Sequence, residues 1–306
     1  MGELGGRRVL VTGGGGFVGA PTVRALLAEG AVVRVLDVAE PWRLAGVECE
    51  TVIGDISDPA TALEACRDVE LVVHLAVLPL NLANADPRQA FESNVRGSFN
   101  VFDAAGRAGV RRVVYSSASS AYGPTDAYPI VEDQPLRPNA FYPASKAAAE
   151  MLLRGLAGTH GYGFVILRYM NVYGPGQTAG VVPAVARSLL AGERPKLTGD
   201  GTQAFDFVHI EDCARANMLS IRAESSGAEL NVGSGTATSL NDLVATMAEL
   251  LGLDVAPVYE GPVSSAPPRV GSIERARALV GYRPTVSLRD GLASVLEAMR
   301  TQPPGA

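Results

Sequence analysis

Two residues with complementary proton chemistry, Tyr142 and Lys146, stand four positions apart in Phe141-Tyr142-Pro143-Ala144-Ser145-Lys146. On a helix that spacing puts both side chains on one face. An ammonium beside a phenol favours the phenolate, so the pair is suited to act as a general base on a hydroxyl. The chain holds nine tyrosines but only two lysines, Lys146 and Lys196, which makes a chance Tyr-x-x-x-Lys rare. Just upstream, the Ser116-to-Ser120 stretch offers four serine hydroxyls.

A second constellation opens the chain. Thr12-Gly13-Gly14-Gly15-Gly16-Phe17-Val18-Gly19 follows a short apolar strand pattern and precedes a helical one. Gly13 and Gly16 permit a tight turn and let a pyrophosphate approach the backbone, while the helix offers free N–H groups and a positive dipole end. Asp37 ends the second strand pattern, where a carboxylate accepts hydrogen bonds from adenosine ribose hydroxyls and repels a 2′-phosphate. These residues point to a dinucleotide, and to NAD over NADP. Asp55, at the end of the third strand pattern, is placed to meet the adenine amino group.

The elements that must carry these groups alternate. Strand patterns at Arg8 to Val11, Ala31 to Asp37, Glu50 to Gly54, Glu70 to Ala76, Arg112 to Ser116 and Phe164 to Tyr169 are separated by helical patterns such as Pro21 to Glu29, Pro87 to Ala108 and Ala144 to Leu156. Repeated βαβ units of this kind build an α/β fold around a doubly wound parallel sheet. After Gly174 the rhythm changes, with Gly-Pro-Gly at 174 to 176 and Gly-Asp-Gly at 199 to 201, which predicts a smaller C-terminal α/β lobe. We expect residues 1–170 to form the dinucleotide domain, with 206–235 returning to it, and 171–205 with 236–306 to form the substrate lobe. The tail Gln302 to Ala306 has no apolar anchor and is expected to fray.

Composition removes several function classes. A net charge of -6 leaves no basic footprint for nucleic acid. Cys49, Cys66 and Cys213 are odd in number and outside any metal or redox spacing, so neither a disulfide framework nor a metal is expected. No apolar run reaches the roughly 18 residues that span a bilayer, and no export signal is visible, so the expected location is cytoplasmic and off the membrane. His74, at the end of a buried-looking strand, is expected to be a hydrogen-bonded core residue, and His160 beside Gly161 a helix-end residue.

Taken together the motifs resemble the extended short-chain dehydrogenase/reductases, and within them the NAD-dependent sugar-nucleotide epimerase/dehydratase branch. The resemblance runs through the glycine turn, Gly54-Asp55, His74-Leu75-Ala76, Asn94-Val95-Arg96-Gly97, Ser116-Ser117 before Ala121-Tyr122-Gly123, the Tyr142/Lys146 pair, Leu167 to Pro175, Asp206-Phe207-Val208-His209 and Leu230-Asn231-Val232-Gly233. It implies a Rossmann-type sheet whose NAD site is lined by Gly13, Gly16, Phe17, Val18, Gly19, Asp37, Asp55, Ile56, Leu75, Ala76, Asn94, Ser116, Tyr142, Lys146 and Tyr169. It further implies that Ala118, Asn171, Val182, Lys196, Leu197 and Arg269 meet the nucleotide sugar, Asn171 and Arg269 at its phosphates and the Lys196–Leu197 strand at its base. The implied reaction is C4 epimerisation of a UDP-hexose, such as UDP-glucose or UDP-galactose, through a transient 4-keto sugar. The implied assembly is a homodimer.

Two positions break the pattern. Relatives carry Ser or Thr where this chain has Ala118, so Ser117, Ser119 or a water must supply the hydroxyl that meets the reacting sugar oxygen. Relatives commonly carry an Arg where Phe205 stands, leaving Arg187 or Arg269 to hold the diphosphate. Dehydratases of the branch place Asp-Glu at the positions of Ser119 and Ser120, which argues against dehydration here. A uronate 4-epimerase, a keto-sugar reductase and a catalytically silent NAD-binding regulator complete the alternatives.

Overall fold

Short runs of valine and leucine bounded by turn residues become the strands of one sheet, seen in a computed structural model that describes residues 4–263 and 267–301. The tail expected to fray at 302–306 lies outside the described residues. In chain order the strands are β1 (Arg8–Thr12), β2 (Val32–Asp37), β3 (Glu50–Ile53), β4 (Leu71–His74), β5 (Arg112–Ala118) and β6 (Gly163–Tyr169), followed much later by Ala228–Val232. Their order across the sheet is Ala228–Val232, β6, β5, β4, β1, β2, β3, and every pairing is parallel. The seventh strand is an addition to the six expected.

Because successive side chains of a strand point to opposite faces, each strand feeds two cores. Val9, Val11, Val33 and Val35 pack on one face with Val23 and Leu26 of the Gly19–Ala28 helix. Leu10, Leu36 and Val72 pack on the other with Phe102 and Leu153. Helices therefore cover both faces, which is why β4 is buried along its whole length. β1 lies between β2 and β4, so the chain reverses its direction of winding there and opens a crevice at the carboxyl ends of β1 and β4.

The helix that carries Tyr142 and Lys146 spans Phe141–His160, longer than its apolar pattern suggests. Pro143 falls in its first turn, where a missing N–H leaves nothing unpaired, and Gly161 ends it in the left-handed region at φ 81°. His160 does not cap that end; its Nε2 lies 3.1 Å from Asp103 on the neighbouring helix. The expected Pro87–Ala108 helix is interrupted. Asp86 caps Pro87–Ala90, a π-helical segment occupies Phe91–Gly97, and the α-helix resumes over Ser98–Arg107.

A third apolar cluster joins the Val181–Leu190, Leu240–Leu251 and Leu288–Thr301 helices through residues such as Val185, Leu243 and Leu296. Phe207, expected to return to the first domain, packs in this cluster, whereas Ile273, Ala276 and Tyr282 of the expected second lobe pack against the sheet. No helix among the described residues is long and apolar enough to cross a membrane.

Candidate active site

The glycine turn leaves β1 with Gly13 at φ +67°, its N–H donated to Leu36 O at 2.7 Å. A Cβ there would come within 2.8 Å of the Ala76 backbone, and one on Gly19 within 2.0 Å of Gly13 O. Side chains at either position would fill the space that a phosphate needs and push the helix off the strand. The Gly19–Ala28 helix begins at Val18 with no side-chain cap; Ala20 N–H turns back to Gly16 O at 3.1 Å and Pro21 has no N–H, so the first-turn donor left for an anion is Gly19 N–H, at the positive end of the helix. Asp37 orders the loop by accepting from Gly15 N at 2.9 Å, and Asp55 accepts from Ser57 N at 2.8 Å.

These groups share one cleft of about 940 Å³ with the proton-transfer pair. Of the expected residues, Gly13, Gly16, Phe17, Val18, Gly19, Asp37, Asp55, Ile56, Leu75, Ala76, Ser116, Ser117, Ala118, Tyr142, Lys146 and Tyr169 all line it. A cradle of this shape, size and donor set fits a dinucleotide. Behind the cradle runs a closed chain of hydrogen bonds. Ala76 N–H donates to Thr12 Oγ1 (3.3 Å), Thr12 to His74 Nδ1 (2.6 Å), His74 Nε2–H to Ser98 Oγ (2.9 Å), and Ser98 to Asn94 O (2.6 Å). Burial pulls His74 down to about 3, so it stays neutral and structural, as its place in the strand implied.

Lys146 is 3% exposed, and its Nζ donates to Ser116 O at 2.7 Å. Burial pulls it down to about 7, the nearby Glu150 carboxylate opposing only part of that fall. Burial also pushes the Tyr142 phenol up to about 12. Both shifts are set by burial, so a draw on the Tyr142 phenol toward phenolate rests on Lys146 acting together with the positive nicotinamide ring of an oxidised cofactor.

One helical turn on, Glu150 is fully buried and takes hydrogen bonds from Arg168 Nε (3.0 Å), Arg168 Nη2 (2.7 Å) and Ser117 Oγ (2.6 Å). Arg168 continues to Tyr122 Oη (3.0 Å) and Glu132 O (2.9 Å), and Tyr122 donates to Asn231 Oδ1 (2.8 Å). This network fixes the end of β5 and was missed in the sequence. The signal was present in the i, i+4 column Tyr142, Lys146, Glu150.

Several expected site residues sit elsewhere. Asn94 does not line the cleft; its amide clamps the backbone of Leu78, which does, through Leu78 N (2.7 Å) and Leu78 O (3.2 Å). Ser117 lines the cleft, but its hydroxyl is committed to Glu150, and Ser119 lies off the lining. Val182 and Leu197 are buried in the third apolar cluster, and Lys196 is exposed and pairs with Glu260 at 3.2 Å. Asn171 is exposed on the strand after β6, between Met170 and Val172, which line the cleft. Arg269 hydrogen-bonds Gly123 O (3.1 Å) and Ser119 O (3.2 Å) and pairs with Phe205 across a β-bridge, so a cation does stand beside the position where relatives carry one. Arg187 is exposed, and it donates to Thr178 O at 3.4 Å. Among the described residues no group of His, Cys, Asp and Glu could hold a metal ion.

Comparison with known proteins agrees with this geometry. Residues 9–233 match the NAD dependent epimerase/dehydratase family. The UDP-glucose 4-epimerase of Mycolicibacterium smegmatis is 34% identical over 316 residues, 96% of this chain and 99% of its own. The crystal structure of the Thermotoga maritima UDP-glucose 4-epimerase with UDP-glucose is similar at TM-score 0.89 and 30% identity, over 96% of this chain and 98% of its own. MoeE5 in complex with UDP-glucuronic acid and NAD is similar at TM-score 0.86 and 32% identity, over 96% and 99%. With an NAD cradle, a Tyr/Lys pair in the same cleft and a family match across most of its length, the chain belongs to the NAD-dependent epimerase/dehydratase family.

Proposed function

We propose that the protein inverts C4 of a nucleotide sugar, with a UDP-hexose as substrate. One observation carries the reading: Tyr142 and Lys146 share the cleft of the dinucleotide cradle, and the carboxyl groups lining that cleft are Asp37, Asp55 and Glu92, of which Asp37 and Asp55 end strands at the adenosine side and Glu92 pairs with Arg96. Dehydration needs a carboxylic acid beside the sugar, and Ser119 and Ser120 supply none. NAD held by the glycine turn and Asp37 would supply a hydride acceptor and donor at C4 and a positive ring that favours the phenolate. Tyr142 Oη then accepts the proton of the 4-hydroxyl and gives it back, and Lys146 stabilises the phenolate. Ala118 carries no hydroxyl and that of Ser117 is given to Glu150, so Tyr142 is the proton partner in this reading and a water supplies the second hydroxyl at the sugar oxygen. The Arg269 guanidinium, beside Phe205, is our candidate for the substrate phosphates.

The likeness to MoeE5 with UDP-glucuronic acid supports a uronate as a second substrate class. Incubation with UDP-glucose, UDP-galactose, UDP-glucuronic acid and dTDP-, GDP- and CDP-sugars, followed by NMR, is expected to show interconversion at C4 without net consumption of NAD. Accumulation of a 4-keto-6-deoxy sugar, or no change in any sugar, would sink the proposal. We further propose a cytoplasmic homodimer, paired through the helices that expose Phe91 (50%), Phe99 (42%) and Met151 (55%). A monomeric mass in sedimentation would rule the dimer out.

A further inference from the structure

The loop after Asn171–Tyr173 presents a polar group that nothing among the described residues satisfies. Gln177 lines the same cleft as Tyr142, and its Nε2 donates to Val172 O at 3.3 Å, which assigns the two ends of the amide. The other end, Oε1, is buried and has no hydrogen-bond partner among the described residues. Buried acceptors are almost always paired, so one left open on a cleft wall points to a donor on the ligand. The backbone is shaped to hold it there. Gly176 has φ +82° and Gly180 φ +110°, and a Cβ on Gly180 would press within 3.1 Å of Gln177 Nε2.

The same loop is tied to the cofactor side of the cleft. Arg43, from the segment after β2, also lines the cleft, sits in the field of Asp37, and donates from Nη2 to Gly176 O at 3.3 Å. The residue adjoining Gln177 is therefore anchored next to the carboxylate that faces the adenosine ribose. We propose that Gln177 Oε1 accepts a hydrogen bond from an O–H or N–H of bound NAD, and that the Arg43–Gly176 contact straps this loop over the cofactor. A pyrophosphate carries no donor at neutral pH, so the partner is a ribose hydroxyl, the adenine amino group or the carboxamide. The strap slows NAD release, which suits a reaction in which the cofactor ends each cycle as it began.

The test measures NAD binding without turnover, so a failure of the C4 chemistry leaves it intact. Gln177→Leu is expected to weaken NAD about tenfold and speed exchange of labelled NAD from the holoenzyme, with UDP affinity unchanged. Melting without NAD should hold steady or rise, because an unpaired buried acceptor has been removed. Gln177→Met serves the same purpose if the leucine variant folds poorly. Arg43→Ala should also speed NAD exchange. Unchanged NAD affinity in the Gln177 variants, whether or not UDP affinity falls, would overturn the assignment, and unchanged exchange in Arg43→Ala would overturn the strap.

Discussion

Tyr142→Phe should retain the fold and NAD while losing C4 turnover by about 10²- to 10⁴-fold, the usual contribution of a positioned proton-transfer group. The hydrogen bonds of Tyr142 run through its backbone, from N to Asn84 Oδ1 and from Ser145 Oγ to O, so removing the hydroxyl strands no partner among the described residues and melting should be unchanged. Turnover at the normal rate would show that another group takes the proton. Lys146 offers an independent check through stability. Its ammonium is pulled from 10.5 to about 7, so between those pH values the unfolded chain binds more protons than the folded one, and stability rises with pH across that window. Lys146→Met should therefore stabilise the NAD-free protein at pH 7 by on the order of a few kcal/mol, a gain that fades as the pH approaches 10.5. The same variant should be catalytically impaired, because stability and function are opposed at this position.

The cofactor half was legible because its determinants are local. The Gly13-to-Gly19 turn, Asp37 and the Tyr142/Lys146 spacing each act within one loop or one helix, and all of them reach the cleft. Strands β1 to β6 were legible for the same reason, being short apolar runs closed by turn residues. The Ala228–Val232 strand was harder, since its five residues AELNV carry two polar groups and gain their burial only by pairing with β6. The π-helical turn that aims Asn94 at Leu78 was invisible, because it depends on Gly97 packing against Ile56 from another element. The substrate side was least legible. Val182 and Leu197 came from resemblance alone, and their apolar side chains serve the core of three helices. Sequence correspondence carries positions, whereas the facing of a side chain around the Val181–Leu190, Leu240–Leu251 and Leu288–Thr301 helices depends on how those helices pack.

Glu150→Gln should be the most destabilising conservative change in the molecule outside the apolar cores. Glu150 is fully buried and Arg168 is 3% exposed, and the two carry a bidentate pair at 3.0 and 2.7 Å. Glu150 also holds its guanidinium partner firmly protonated, opposing the burial of that charge. Removing the carboxylate strands a desolvated cation, a loss of about 3–5 kcal/mol, which is a large share of the 5–15 kcal/mol that stabilises an ordinary domain. The damage reaches the site by two routes. Ser117 loses its acceptor at the end of β5, beside Ala118, and Lys146 loses the one carboxylate that lifts its affinity for protons. Lys146 should then titrate below about 7, so any residual activity that needs its ammonium should fall away on the alkaline side at a lower pH than in the parent protein. Denaturant unfolding of Glu150→Gln, of Arg168→Met and of the double variant separates the pair from its surroundings. The double variant is expected to be more stable than Glu150→Gln, because no charge remains buried without its partner, though still short of the parent, because Arg168 also serves Tyr122 and Glu132. Strict additivity of the two single losses would mean that the ion pair contributes nothing specific and that Glu150 is held by Ser117 and by Arg154, whose Nη2 donates to Glu150 Oε2 at 3.4 Å.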